Sequence, residues 1–412
     1  ENGCIEPVFQ KIYPEEQKRI DTGQKIHEGI MFFTDYFLQA TGKFKKILSV
    51  NFHHLLLHKL NHLTEEESIQ FSQISEQRSS GDNAPYSPLE LRDPKKEKIG
   101  IIFTWPGTAV SAEAEVIQRI LIAGKNIGLD IIPISQQGCI LRPDTSCSPN
   151  YINTRDFKWI FSIHYEDGKL LDCFYYLTVW NPPENLMGTP WYKDCTDRYL
   201  QNDDYLIYDT GGMSNHLRSI LLDSPRDLKD ASCFVGSFPA SCVMSPNLSK
   251  PMLFYCGVNW DVLITHKGRH QALFNLLDST GIIKIFGPKD PWKNGILPWA
   301  GFKSYQGEIP FDGTSILSEI NKCGIVLALS SDIHQRAGAV TNRVYEGCAA
   351  GAVIISDDNS FMLENFKDAV LFIRFNKNDP QDTFRQIMEK YEWILSHKDE
   401  ALALAKKSQQ IF

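Results

Sequence analysis

Apolar and polar positions follow two different rhythms along the chain. Over residues 1 to about 80 the apolar residues fall three and four apart, in "PEEQKRIDTGQKIHEGIMFFTDYFLQATGKF" and "KKILSVNFHHLLLHKLNHLTEEESIQFSQISEQ". That spacing predicts helices with one buried face. Thr64 followed by Glu67 fits a capping box opening a further helix. "RSSGDNAPYSPLELRDPKKEK" then carries Gly, Pro, Ser and charge with no period, and reads as a linker.

From Lys98 the pattern becomes short apolar runs separated by amphipathic segments. "KIGIIFTW", "LDIIPIS", "WIFSIHY", "CFYYLTVW", "DYLIYDT" and "SCFVGSF" read as strands, and "PGTAVSAEAEVIQRILIAGKNIG" as a turn and helix closed by Gly128. A second series opens at Pro251. Its strands are "PMLFYCGV", "IIKIFG", "IVLALS", "AVIIS" and "AVLFIRF", and its helices include "RHQALFNLLDSTG" and "SILSEINKCG". Strands alternating with helices predict parallel sheets covered on both faces. The expected organisation is α/β: a helical prefix and linker over 1–90, doubly wound units over 98–248 and 250–380, and terminal helices over 381–412.

Composition narrows the field. At 412 residues the chain can bury two or three cores. A formal net charge of −8 without a long Lys/Arg run argues against nucleic acid or an anionic membrane as the main partner. No apolar stretch approaches the ~20 residues of a bilayer span, and "ENGCIEPVFQ" lacks a signal pattern. The ten cysteines include Cys173, Cys233, Cys256, Cys323 and Cys348 in or beside apolar runs, with no C-x-x-C. A reducing, cytoplasmic setting is expected. His53, His54, His58 and His62 stand at helical spacing without H-E-x-x-H or a nearby carboxylate, so they are expected on a surface or packing face.

The chemistry concentrates in "TNRVYEGCAAGAVIIS" (341–356). Neither unit has a G-x-G-x-x-G or a P-loop, which disfavours the dehydrogenase and P-loop readings. Ligands in open parallel sheets sit at the carboxyl ends of strands, where helix N-termini point. Thr341 or Asn342 can cap a helix running to about Ala350 and ended by Gly351. Its free N–H groups suit a diphosphate, and Arg343 adds a planar cation. Glu346, one turn on, can accept hydrogen bonds from a vicinal diol such as a ribose. The plainer reading is an Arg343–Glu346 surface ion pair contributing about 0.2–0.5 kcal/mol. "NDDY" (202–205) and "SDDN" (356–359) are expected to be solvated turn carboxylates rather than metal ligands.

"TNRVYEGCAAGAVIISDDNSF" resembles the R-x-x-E-x-x-A-x-G segment in the second domain of GT-B glycosyltransferases, nearest the CgeB-like (spore-maturation) branch of the group 1, GT4-like enzymes. "FYCGVNWDV", "IIKIFG" and "YQGEIPFDGTSILSEINKCGIVLALS" follow in the family's order, so the likeness covers about residues 250–375. The resemblance implies two Rossmann-like domains facing a cleft, with the terminal helices crossing back onto the first. It implies metal-independent, retaining transfer from a UDP- or GDP-linked sugar, without a cofactor, to an unidentified glycan, protein or small molecule. Carried over, Glu346 holds the ribose and Arg343, with Asn342 and Thr341, the diphosphate. Gly257 and Asn259 approach the phosphates or sugar, with Lys267 or Arg269 as a second cation. His334, Arg336 and Gly338 lie in a loop over the donor sugar. The chain departs from the family at Ala339, where many members have a first Glu contacting that sugar.

On the acceptor side, Gly107 and Thr108 resemble the family's first loop, and His164 or Glu166 at a strand end can act as base if the reaction inverts. "VWNPP" (179–183) is expected to be structural. Two alternatives stay open: a nucleotide-sugar epimerase of the same architecture, and a non-catalytic module that binds a protein.

Overall fold

The computed structural model describes residues 98–412 except 105–111, 137, 143–145, 152–156, 158, 170–173, 188, 203, 208–211, 222–239, 260–261, 263–269, 292–294 and 377. The helical prefix, its histidines, "SCFVGSF", Gly107, Thr108, Lys267 and Arg269 lie outside these residues.

The first unit runs β1 (Lys98–Phe103), α1 (Ala112–Asn126), β2 (Asp130–Ser135), β3 (Cys139–Leu141), β4 (Cys147–Tyr151), β5 (Trp159–Ser162), β6 (Phe174–Val179), α2 (Tyr192–Tyr199), β7 (Asp204–Ile207) and α3 (Gly212–Leu221). Its sheet has the order β4-β3-β2-β1-β5-β6-β7. β2, β1, β5, β6 and β7 pair in parallel, and β3 and β4 extend the edge antiparallel. Alternation along β1 divides the sheet's two faces. Ile102 joins Ile132, Ile134, Ile160 and Tyr175 on one side. Ile101 and Phe103 meet Val116, Ile117 and Ile120 of α1 on the other.

The second unit runs β8 (Met252–Cys256), α4 (Gln271–Thr280), β9 (Ile283–Phe286), β10 (Tyr305–Gly307), α5 (Ser315–Cys323), β11 (Gly324–Ala328), α6 (Asp332–Ala337), α7 (Asn342–Ala349), β12 (Val353–Asp357), α8 (Ser360–Asn365), β13 (Leu371–Ile373), α9 (Pro380–Ser396) and α10 (Lys398–Ile411). All its strand pairs are parallel, in the order β10-β9-β8-β11-β12-β13. Every residue of β11 and β12 is buried, as both-face coverage requires. Leu253, Ile325, Leu327 and Ile355 pack with Leu277, Ile387 and Ile394, while Phe254, Val326 and Ile354 pack with Leu317, Val344 and Cys348.

Two expectations change. The terminal helices pack on the second unit rather than crossing to the first. Ile387, Tyr391, Ile394, Ala401 and Ala405 belong to its core, and Gln409 donates to the Met244 carbonyl at 2.7 Å. Helix α6 stands where a loop was expected, and Ala337 and Ala339 join a cluster with Leu177, Val179, Tyr199, Met213 and Leu217 of the first unit. At Gly212 a Cβ would lie 2.5 Å from the Ala337 carbonyl oxygen, so glycine permits this close approach. The connection before β8 is tied to the second unit, with the Met244 N–H donating to Ala349.

Candidate active site

In each sheet the strand order reverses beside the first strand, and the crevice at the carboxyl ends there is the usual ligand position. In the second unit that crevice lies between β8 and β11. Helix α7 begins beside it. Thr341 holds the N-cap position with extended backbone but makes no side-chain cap, and among the described residues its buried Oγ1 has no partner.

Arg343 lies across the crevice. Nη1 donates to the Cys256 carbonyl at 2.7 Å and Nη2 to the Leu329 carbonyl at 2.8 Å, at the last residue of β8 and the first past β11. The guanidinium stands 4.6 Å from the Tyr255 ring centroid, a cation–π distance. The fork expected to be open for phosphate is thus held by carbonyls, and the Nε is buried without a partner among the described residues.

Glu346 faces the first unit. Its Oε1 accepts from Arg119 Nη2 of α1 at 2.9 Å, and Arg119 Nε lies 3.7 Å from Glu115 Oε1. The Arg119, Glu346 and Glu115 side chains are 2%, 6% and 3% exposed. Glu115 Oε2 accepts from the Gly313 N–H at 3.0 Å, which joins the second unit to α1 again. Gly313 has φ +78°, and a Cβ there would stand 3.2 Å from the Arg119 backbone nitrogen. Burial pushes the Glu115 carboxyl up to about 7, against the pull of Arg119 and the Gly313 amide. Among the described residues Arg343 and Glu346 do not pair with each other; each serves a separate contact.

The loop after β8 is anchored by neighbours. Trp299 Nε1 donates to the Gly257 carbonyl at 2.9 Å, and Asn259 Nδ2 to the Pro298 carbonyl at 3.1 Å. In α6, Ser331 caps by accepting from the His334 N–H, and its Oγ lies 2.6 Å from His334 Nδ1. Gly338 ends this helix. Arg336 is 59% exposed and donates to Glu184 of the first unit at 3.0 Å. Glu184 belongs to the 3-10 turn Pro183–Asn185, which begins at the last residue of "VWNPP".

In the first unit the corresponding crevice holds an acid. Asp167 is buried and accepts from Ser162 Oγ (2.9 Å), Gln136 Nε2 (2.9 Å) and Thr104 Oγ1 (3.1 Å), residues at the ends of β5, β2 and β1. Burial raises its carboxyl to about 7 against those hydrogen bonds. His164, the expected base, is buried, and burial with the Arg198 charge lowers it to about 3. Its Nδ1 accepts from the Glu166 N–H at 3.2 Å. That tautomer and pKa suit a structural histidine better than a base; Glu166 itself is half-buried. Asp357, expected in a solvated turn, is instead buried at the end of β12 and accepts from the Ser330 N–H and Oγ. Burial raises its carboxyl.

Sequence reasoning missed Arg119, Glu115 and Asp167. The acidic first turn of α1 and the Asp beside His164 were visible, but their burial depends on partners distant in the chain.

Residues 269–412 match a family described as "Glycosyl transferase-like". Among solved structures, an alpha-glucosyltransferase in complex with UDP and a 13-mer DNA containing a HMU base aligns with a TM-score of 0.50 at 11% identity, over 77% of this chain and 95% of that one. The pneumococcal O-GlcNAc transferase in complex with UDP and GlcNAc aligns at 0.46 and 10%, over 77% and 95%. Sucrose-phosphate synthase from Thermosynechococcus elongatus gives 0.45 and 10%, over 77% and 94%. The first of these carries the likeness of fold. The fold is GT-B. The family match falls within the second unit, and the fold likeness spans both. No curated protein matches the sequence. Among the described residues no helix is long and apolar enough to cross a membrane.

Proposed function

We propose that the protein is a glycosyltransferase that takes its sugar from a UDP-sugar held mainly by the second unit and passes it to an acceptor presented by the first. One observation carries this reading: a single turn of α7 places Arg343 across the β8/β11 crevice and Glu346 at the boundary with the first unit. Among the described residues Glu346 Oε2 accepts no hydrogen bond, which leaves it to a ribose diol. The N-terminus of α7 faces the departing diphosphate, and the charge of Arg343, held by its two carbonyls, offsets it from a distance, a preorganised electrostatic contribution that requires no metal. The reaction retains configuration, with the leaving phosphate assisting on the same face. UDP is chosen because the GT-B neighbour that carries the fold was solved with it.

Calorimetric titration with UDP, UDP-glucose and GDP-mannose tests the donor. UDP and its sugar should bind, and Glu346→Ala should weaken them about tenfold, the loss of a charge-assisted hydrogen bond. Absence of UDP binding by the unaltered chain rejects the reading.

A further inference from the structure

We propose that Arg119 is a positioning residue of the donor site, holding Glu346 from the opposite unit so that the carboxylate is set for a nucleotide's ribose only while the two units are closed. This rests on the assignment of Glu346 above and adds a residue 227 positions away.

Burying a guanidinium as completely as Arg119 is unfavourable unless partners compensate. Its partners here are two carboxylates from different units, Glu115 on its own helix and Glu346 across the boundary. One cation between two acids leaves the cluster with surplus negative charge when both are ionised. Further stabilisation of Glu346 is therefore best supplied by neutral O–H donors, which satisfy an oxygen without adding charge. A vicinal diol is such a donor. Arg119 engages Oε1 and so orients Oε2. The second unit closes over α1 at Gly313, whose N–H meets Glu115, and the contact is gripped from both sides. Separating the units would remove Arg119 from Glu346 and free the carboxylate to rotate.

The test is a double-mutant cycle read by UDP calorimetry on the full chain. Arg119→Met should weaken UDP severalfold, up to the loss seen in Glu346→Ala, and Arg119→Lys should recover most of that loss. In a Glu346→Ala background the same Arg119→Met change should cost less than twofold. If Arg119→Met fails to fold by circular dichroism, Glu115→Gln/Arg119→Met takes its place in the cycle, since it removes one acid along with the cation. An unaltered UDP affinity in the Arg119 variant, or an equal loss in both backgrounds, overturns the positioning role while leaving the proposed function intact. An unaltered chain that binds no UDP overturns both.

Discussion

The two switch-point crevices occupy the same place in two similar sheets and are filled with side chains of opposite kind. In the second unit a cation, Arg343, reaches carbonyls at the ends of β8 and β11. In the first an acid, Asp167, gathers donors from the ends of β1, β2 and β5. The shared fold supplies the position, and the side chain decides what can bind there. A crevice with a cation and a helix N-terminus beside it favours an anion. A carboxyl that already accepts from three side chains has its hydrogen-bonding capacity committed within the fold.

The contrast can be broken most severely at Asp167. Asp167→Ala leaves the Thr104, Ser162 and Gln136 donors without their acceptor, and urea unfolding should show a loss of roughly 3–5 kcal/mol. UDP affinity should change little at temperatures where the variant is folded. Next is the pH dependence at the boundary. Glu115 rises from an ordinary 4.5 to about 7 on folding, so its contribution is complete below pH 4.5 and is lost as pH rises past 7. Glu115→Gln should remove ~3 kcal/mol of that decline, measured by unfolding at a series of pH values.

Arg343→Ala should cost roughly 2–3 kcal/mol, because two carbonyls lose charged donors and Tyr255 loses its cation. Unlike Asp167→Ala, it should also weaken UDP. Equal effects of the two variants on UDP would erase the distinction between the crevices. The smallest change should come from Arg336→Ala. Its pair with Glu184 is exposed, and a shift within about 0.5 kcal/mol is expected in the same urea measurement.

Much of the second unit was legible because its signals are local. Runs such as "IVLALS" and "AVIIS" are apolar on both faces, and Gly281 and Gly324 punctuate the helices before β9 and β11. The first unit was read less completely. β3 has only three residues, β4 includes Ser148, Pro149 and Asn150, and α2 is short and polar, so none rises above the loop background. Arg343 and Glu346 stood out as a pair on one helix turn. Their actual partners, Cys256, Leu329 and Arg119, come from three other segments, and no spacing rule reaches that far. The terminal helices carried a clear helical period, but periodicity does not say which sheet receives the apolar face.

The segment joining the two units has a mechanical consequence. Met244 binds Ala349 through its N–H and Gln409 through its carbonyl, and a Cβ at Gly351 would strike the Met244 carbonyl oxygen. This stretch therefore travels as part of the second unit, like a strap riveted to one leaf of a hinge. Any swing that admits or releases a substrate has to draw its torsion from some other stretch of backbone, so stiffening residues 244–248 should leave the opening rate unchanged.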